Sequence, residues 1–196
     1  NKILILANET TWYCPRITTG PISSQILQDY ELWKTFTTKL LNTIRKNITF
    51  RPHPVDFCWD LKKKYSEEIG KNYISGKKNF EEDLNQSKIV VNTSLQTTFY
   101  QSMKKGVPTI VLFDRKILNV DSKLLKLKDL FIKNKIIFTD PHEASKHINN
   151  IWNNPLDWWN SKEVLEARDL FSEYCSIEKD NNLNYWKKLL KNQINF

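Results

Sequence analysis

Short apolar runs alternate along the chain with longer segments in which apolar residues recur every three or four positions. The short runs predict strands buried on both faces of a parallel sheet, because a strand with one exposed face would alternate apolar and polar residues. The longer segments predict amphipathic helices. The predicted strands are 2–7, 48–50, 88–92, 107–113 and 136–138, with a weak additional strand at 73–74.

Helices are predicted between these strands and after the last of them. Gly106 is expected to end one helix in the left-handed conformation, and Pro141 to begin another at the first helical position. Strands that alternate with helices predict an α/β fold, with a Rossmann-like parallel sheet and helices on both faces. The predicted helices are 22–46, 56–68, 79–85, 96–105, 122–134, 141–152, 156–175 and 179–193.

The length and composition fit one globular domain with an extension. The chain has 196 residues, 40% of them hydrophobic and 27% charged, and one domain commonly takes about 100–200 residues. We expect residues 1–155 to form the α/β domain and residues 156–196 to form a helical C-terminal extension. No apolar run reaches the roughly 18 residues that suggest a membrane span. Because the sequence opens with Asn1 inside an apolar run, we expect it to be a piece of a longer protein.

The net charge of +8 favours acidic partners such as phosphates or an anionic membrane surface. Only five of the 30 basic residues are arginines, and no stripe of arginines and aromatic residues occurs. Abundant Lys, Ile and Asn are also what A/T-rich coding would produce without selection for a partner. The sequence therefore predicts no nucleic-acid binding.

The cysteines and histidines predict neither disulfides nor a metal site. Cys14, Cys58 and Cys175 are odd in number and far apart, without a Cys-x-x-Cys pair, so we expect reduced thiols in the cytosol. His142 and His147 lie five positions apart, which places them on different faces of a helix, and we expect both at the surface.

Polar residues follow three of the predicted strands, where ligands bind in open parallel sheets. The loop after the first strand carries Thr10, Thr11, Tyr13 and Arg16. Arg51-Pro52-His53-Pro54 follows the second strand, and Asn92–Thr98 leads from the third strand into a helix. Asp114 follows the fourth strand.

These segments suit a phosphate. Hydroxyl and backbone N–H groups at a helix start, here near Thr97 and Thr98, form an anion site. His53, fixed between two prolines, could donate to a phosphate oxygen. Ordinary helix capping, a loop histidine and a turn aspartate would produce the same residues. Gly-x-Gly-x-x-Gly, P-loop and Gly-x-Ser-x-Gly motifs are absent, which disfavours dinucleotide-binding proteins, Walker NTPases and serine hydrolases.

The segment Ser87–Phe113 resembles the nucleotide-sugar half of glycosyltransferases of the GT-B architecture. There a strand leads into a loop of small residues, a helix with an acidic residue, a Gly-x-Pro turn and another strand. More narrowly, nearly the whole chain resembles the C-terminal part of a transferase family encoded with bacterial surface-carbohydrate genes, those for O-antigen or capsule. The matching features are Arg16 with Pro21–Gln25, Arg51–Trp59, Thr97–Phe99, Val107–Thr109 and Trp152–Trp159.

The resemblance implies that residues 1–155 bind a nucleotide-activated sugar for surface polysaccharide synthesis. His53 and Arg16 would be the catalytic residues that stabilise the leaving phosphate. Gln101 stands where the family helix usually has Glu, and it would hydrogen-bond a donor hydroxyl without a charge. The implied donor-binding residues are Arg51, Ser94, Thr97, Thr98, Gln101 and Asp114.

The resemblance also implies metal-independent transfer without a cofactor, to a glycan or lipid-linked glycan acceptor. A missing N-terminal domain would carry the acceptor site and the catalytic base. The location would be cytoplasmic, with peripheral contact at the inner membrane face left open. Two alternatives stay open: a CDP-glycerol-type phosphotransferase, and a non-catalytic nucleotide- or glycan-binding module.

Four of the seven tryptophans, Trp152, Trp158, Trp159 and Trp186, lie near the C-terminus. The GT-B resemblance implies that these helices run across to the first domain. Packing against this domain's own sheet is the alternative.

Overall fold

The strands of the chain form one parallel sheet. A computed structural model describes residues 2–7, 25–77, 79–113, 120–175, 187 and 190–191. Within these residues the sheet has five strands in the order β2-β1-β3-β4-β5, and Ile5 of β1 pairs with Phe50 on one side and Val91 on the other. The predicted α/β fold is confirmed. The strands are β1 Lys2–Leu6, β2 Ile48–Arg51, β3 Ser87–Asn92, β4 Thr109–Leu112 and β5 Ile137–Phe138.

Helices surround the sheet, and their end signals act as the sequence predicts. Gly106 ends a helix with φ of 74°, and Pro141 occupies the first turn of another. Within the described ranges, no helix combines the length and the apolar character needed to cross a membrane. The helices are α1 Gln25–Lys39, α2 Asn42–Arg45, α3 Leu61–Ile69, α4 Phe80–Asn85, α5 Thr97–Lys105, α6 Leu125–Lys133, α7 Pro141–Ile151, α8 Pro155–Trp159 and α9 Lys162–Cys175.

Alternate residues of β1, β3, β4 and β5 enter different apolar clusters, as expected for a sheet covered on both faces. On β1, Ile3 and Ile5 pack in a cluster with α1, α3 and α7, whereas Leu4 and Leu6 pack in a cluster with α4. A third cluster joins β4 and β5 to α5, α6, α8 and α9. The sheet is therefore held between two layers of helices, which fixes the positions of its strand ends.

The single helix predicted over 22–46 is wrong, because a tertiary contact interrupts it. Asn149 of α7 accepts a hydrogen bond from Leu41 N through its Oδ1 and donates its Nδ2 to Lys39 O. The side chain thus replaces the helical partners of both backbone groups between α1 and α2. The helical spacing of the apolar residues could not reveal a partner that lies over 100 positions away in the sequence.

The helix predicted over 156–175 is likewise divided, at Asn160 and Ser161. Trp159 ends α8 and is 1% exposed, and its Nε1 donates to Gly106 O at 2.8 Å. Arg168 of α9 stacks on the Trp159 ring at 4.4 Å and donates to Trp159 O. These contacts attach residues 155–175 to this domain's own core. Trp186 lies outside the described residues, and the domain boundary at residue 155 stays a prediction.

The segment predicted as helix over 56–68 begins with a turn. The Asp56 carboxylate accepts hydrogen bonds from Trp59 N and Asp60 N, and Cys58 and Asp60 have positive φ. Helix α3 therefore starts only at Leu61.

The weak strand at 73–74 is reduced to one bridge, between Ile74 and Phe50. Cys58 is a free, exposed thiol, whereas Cys14 and the Cys175 side chain lie outside the described parts.

His147 is half-buried, so the prediction of a surface residue is wrong for it. Its ring packs against Phe138 and Trp158, at centroid distances of 5.4 and 4.7 Å. Its Nε2 is buried and has no hydrogen-bond partner among the described residues. Burial, with a smaller contribution from the nearby Lys135 charge, lowers the pKa of His147 to about 4.

The folded protein should therefore lose stability as the pH falls from about 6.5 to about 4. The unfolded chain protonates His147 near its ordinary pKa of 6.5, whereas the folded chain resists protonation until about 4. Over this window the unfolded state binds more protons, so acid favours unfolding, by about 1–3 kcal/mol for a partly exposed group. Urea unfolding across this range measures the effect.

The variant His147→Leu should lack this part of the pH dependence, whereas His142→Leu, on the exposed face of the same helix, should keep it. Identical pH profiles for the wild type and His147→Leu would contradict the assignment.

Candidate functional site

A cleft of about 260 Å³ opens at the carboxyl ends of β1, β2 and β3. From β1 the chain goes to β2 on one side and later to β3 on the other, so the strand order reverses between β1 and β3. Such a switch point leaves a crevice outside the strand ends, where open α/β sheets bind ligands. The described residues that line the cleft are Leu6, Ala7, Arg51–Pro54, Asn92–Ser94 and Gln96–Thr98.

The start of α5 supplies backbone donors to this cleft. Gln96, the N-cap residue, makes no side-chain hydrogen bond to the helix, and the first turn holds no acidic residue. Thr97 and Thr98 begin the helix and line the cleft. Phe99 N donates to Gln96 O, whereas the N–H groups of Thr97 and Thr98 have no acceptor among the described residues. Because these two groups lie at the positive end of the helix dipole, they favour an anion.

Asn92, the last residue of β3, has an amide group that is only partly satisfied. The residue is 1% exposed and lines the cleft. Its Oδ1 accepts a hydrogen bond from Thr98 Oγ1 at 3.1 Å, whereas the buried Nδ2 has no partner among the described residues. An unpaired buried donor costs about 1–3 kcal/mol and calls for a specific explanation. Its place in the cleft indicates a ligand that accepts hydrogen bonds.

The loop after β2 holds His53 in a defined orientation. The ring lies 5.2 Å from that of Phe57, and Nδ1 lies 3.2 Å from Val55 N and 3.0 Å from Val55 O. In the tautomer with its proton on Nε2, Nδ1 accepts the Val55 N–H. In the imidazolium, Nδ1–H donates to Val55 O. Both forms leave Nε2–H as a donor for a ligand.

Arg51 forms an ion pair that the sequence did not indicate. Its Nη1 lies 2.6 Å from Asp83 Oδ2 and donates to Lys77 O at 3.1 Å. Ser75 donates its hydroxyl to the same Asp83 oxygen at 2.6 Å. Asp83 is 5% exposed. The Asp83 carboxylate therefore fixes Arg51 at the side of the cleft, and part of the charge of Arg51 is balanced within the protein.

The cleft favours negative charge. Among the described residues that line it, one arginine and one histidine occur, and no carboxylate does. The carboxyl end of β3 and the amino end of α5 meet there, and Lys104 and Lys105 lie in the last turn of α5, where they complement the helix dipole. In the described part of the chain, no group of three or more His, Cys, Asp and Glu side chains could hold a metal ion.

The structure brings five of the predicted site residues to this one cleft: Arg51, His53, Ser94, Thr97 and Thr98. Gln101 is exposed on α5 and does not line the cleft. Arg16 and Asp114 lie outside the described residues, as do Thr10, Thr11 and Tyr13.

Sequence reasoning included Asn92 in a candidate strand-end segment but gave it no role of its own, and it missed Asp83. Asp83, within a run of acidic residues, gave no signal of its partner.

Comparison with models of known protein families gives a match over residues 1–190, to the family described as LIC12162 family transferase. No curated protein matches the chain.

The double variant Asn92→Leu/Thr98→Val should fold stably but lose anion binding. Replacing both partners of a buried polar pair by apolar groups of similar shape removes the unpaired Nδ2, so the free energy of unfolding should stay the same or rise by about 1 kcal/mol. Binding of inorganic pyrophosphate should weaken about tenfold or more, because hydrogen bonds to a charged group are lost. Urea unfolding and calorimetric titration measure the two quantities.

The control is Ser102→Ala, since Ser102 donates to Thr98 O from the buried side of α5 and does not line the cleft. It should retain pyrophosphate affinity. An unchanged affinity in the double variant would exclude the Asn92 amide group and the Thr98 hydroxyl from the binding site.

Proposed function

Because the chain belongs to the LIC12162 family of transferases, we propose that it is a glycosyltransferase that binds the phosphate of a nucleotide-activated sugar in the cleft at the carboxyl edge of its sheet. In this proposal the chain is the donor half of a GT-B enzyme. The acceptor is a glycan or lipid-linked glycan of the bacterial cell surface, and transfer takes place on the cytoplasmic side.

One observation carries this proposal: hydrogen-bond donors converge on a cleft without carboxylates. The first turn of α5, with Thr97 and Thr98, and the His53 loop line the same space at the β1–β3 switch point. The unpaired Nδ2 of Asn92 adds a donor that lacks an acceptor within the described protein. Phosphate oxygens provide several acceptors and a negative charge, which matches such a set of donors.

The same donors would assist the chemical step. The acceptor oxygen forms a bond to the anomeric carbon of the sugar while the bond from that carbon to the donor phosphate oxygen breaks. The acceptor proton passes to a base that we expect outside the described residues. Negative charge grows on the leaving phosphate, and donors fixed in advance stabilise this charge more in the transition state than in the ground state.

Each candidate residue then has a distinct role. His53 donates from Nε2 to the leaving phosphate, and its contacts to Val55 orient the ring. Arg51 contributes positive charge at the side of the cleft, where Asp83 fixes its guanidinium group. Ser94 and Thr97 bind phosphate or sugar oxygens, and Thr98 does so through its backbone N–H, because its hydroxyl donates to Asn92 Oδ1. Roles for Arg16, Gln101 and Asp114 in leaving-group stabilisation and donor binding stay predictions.

Donor titration separates this function from its alternatives. A glycosyltransferase releases a nucleotide and breaks the bond at the anomeric carbon. A CDP-glycerol-type phosphotransferase would instead act on phosphorus and release CMP. A binding module would bind a nucleotide without turnover. Donors linked to CMP, CDP, UDP and GDP, CDP-glycerol among them, tested for both binding and slow donor hydrolysis, identify the class.

The variant His53→Ala should weaken binding of the preferred donor by about 1.5–3 kcal/mol, because one charge-assisted hydrogen bond is lost. Calorimetric titration with the nucleotide donor measures the change. His142→Ala, which removes an exposed histidine from α7, is the control and should leave donor affinity unchanged. Equal affinities of the wild type and His53→Ala would remove His53 from the site.

A further inference from the structure

The positive charge of the chain is concentrated in one segment. Residues 115–135 contain seven lysines and arginines but only two acidic residues, Asp121 and Asp129, and thus contribute +5 of the net charge of +8. The described part of this segment is α6 with the residues around it. Its basic residues are Lys123, Lys126, Lys128, Lys133 and Lys135.

Helix α6 also exposes large apolar side chains. Leu127 and Phe131 are buried against the domain, as the inner side of an amphipathic helix should be. Leu125 and Ile132, however, are each 43% exposed. They lie seven positions apart, two turns along the helix, and therefore on the same face. The solvent-facing side of α6 thus combines two aliphatic side chains with Lys126, Lys133 and the carboxylate of Asp129, which lies on the same face.

The lysines of this face have no ion-pair partner in the part of the chain that the structure describes. Some lysines elsewhere are paired: Lys34 lies 2.9 Å from Glu68, and Lys105 lies 3.5 Å from Glu81. No such contact occurs for the five basic residues in and around α6. Their charges are therefore available to an external partner.

We propose that this face of α6 binds the surface of an anionic membrane. Helices that combine basic residues with exposed aliphatic side chains lie in the headgroup region, with the apolar groups inserted at the acyl boundary. Each lysine near an anionic leaflet contributes about 1 kcal/mol. Charge complementarity favours anionic headgroups as the partner, and Leu125 and Ile132 supply the apolar contact that a soluble anion would not use.

Asp129 on this face and acidic residues beside it moderate the attraction. A groove of about 520 Å³ beside β5 is lined by Asp129, Asp140 and Glu143 together with Ile132. These carboxylates oppose binding, so the membrane contact is reversible and sensitive to salt.

The location of α6 connects this surface to the cleft. Strand β4 ends at the carboxyl edge, where the cleft opens, and Val120 and Leu124, just before α6, line a pocket with Leu95, which follows β3 at the same edge. A membrane bound at the start of α6 would lie on the side of the protein from which a lipid-linked acceptor would reach the cleft. The membrane contact itself does not depend on the proposed sugar transfer.

The test is co-sedimentation of the chain with vesicles of phosphatidylglycerol and phosphatidylcholine, compared with vesicles of phosphatidylcholine alone. We expect binding to the anionic vesicles that weakens as salt is added. The variant Lys126→Glu/Lys133→Glu should bind roughly thirtyfold or more weakly, since two lysine contributions of about 1 kcal/mol each are removed. Leu125→Ser/Ile132→Ser should also weaken binding, because the inserted apolar groups are lost.

The matched control is Lys39→Glu/Lys46→Glu, which makes the same change in net charge at two exposed positions. Lys39 ends α1, and Lys46 precedes β2, the outer strand on the other side of the sheet from β5. It should retain most of the vesicle binding. Failure of the wild type to bind anionic vesicles, or equal losses in the α6 and control lysine variants, would overturn the proposal. Binding without any contribution from Leu125 and Ile132 would show attraction by charge alone and would also overturn it. The α6 variants should bind the nucleotide donor as tightly as the wild type does. Vesicle binding and donor binding are thus measured separately, and failure of one proposal can be told from failure of the other.

Discussion

The parallel arrangement of β1 between β2 and β3 is the constraint on which the rest of the structure depends. Because these strands run in the same direction, their carboxyl ends meet at one edge, and the reversal of strand order at β1 leaves an opening there. Residues that are far apart in the sequence, His53 and Thr97 among them, consequently line one cleft. The helix layers on both faces hold the strand ends in place, so the cleft is largely formed before a ligand binds.

Two features of the cleft lower the stability of the folded protein. The Asn92 amide is buried with an unpaired nitrogen, and Gln96 leaves the start of α5 without a side-chain cap. An apolar residue in place of Asn92, and a capping Ser or Asp in place of Gln96, would favour the folded state. The ion pair of Arg51 with the buried Asp83 has the opposite effect, since it stabilises the wall of the cleft. This combination of a rigid wall with unsatisfied donors is typical of a binding site.

The apolar pattern predicts much of the fold, because burial on both faces makes each strand a continuous apolar run. It locates β1, β2 and β3 within about one residue, and Gly106 and Pro141 mark helix ends correctly. It fails where distant side chains decide the outcome: Asn149 divides α1 from α2, and Asp83 pairs with Arg51. Because ligands bind at the carboxyl ends of parallel strands, the sequence alone indicates which segments line the cleft. The unpaired nitrogen of Asn92, however, follows only from tertiary packing.

Amide resonances test the central claim, donor phosphate at the start of α5, most directly. In ¹H–¹⁵N spectra titrated with nucleoside diphosphates, we expect the largest shifts at the backbone N–H groups of Thr97 and Thr98 and at the side-chain Nδ2 of Asn92. The Asn92 signal is the most informative, because its nitrogen has no partner among the described residues. Saturable shifts centred instead on the groove beside β5, with these three signals unchanged, would contradict the account.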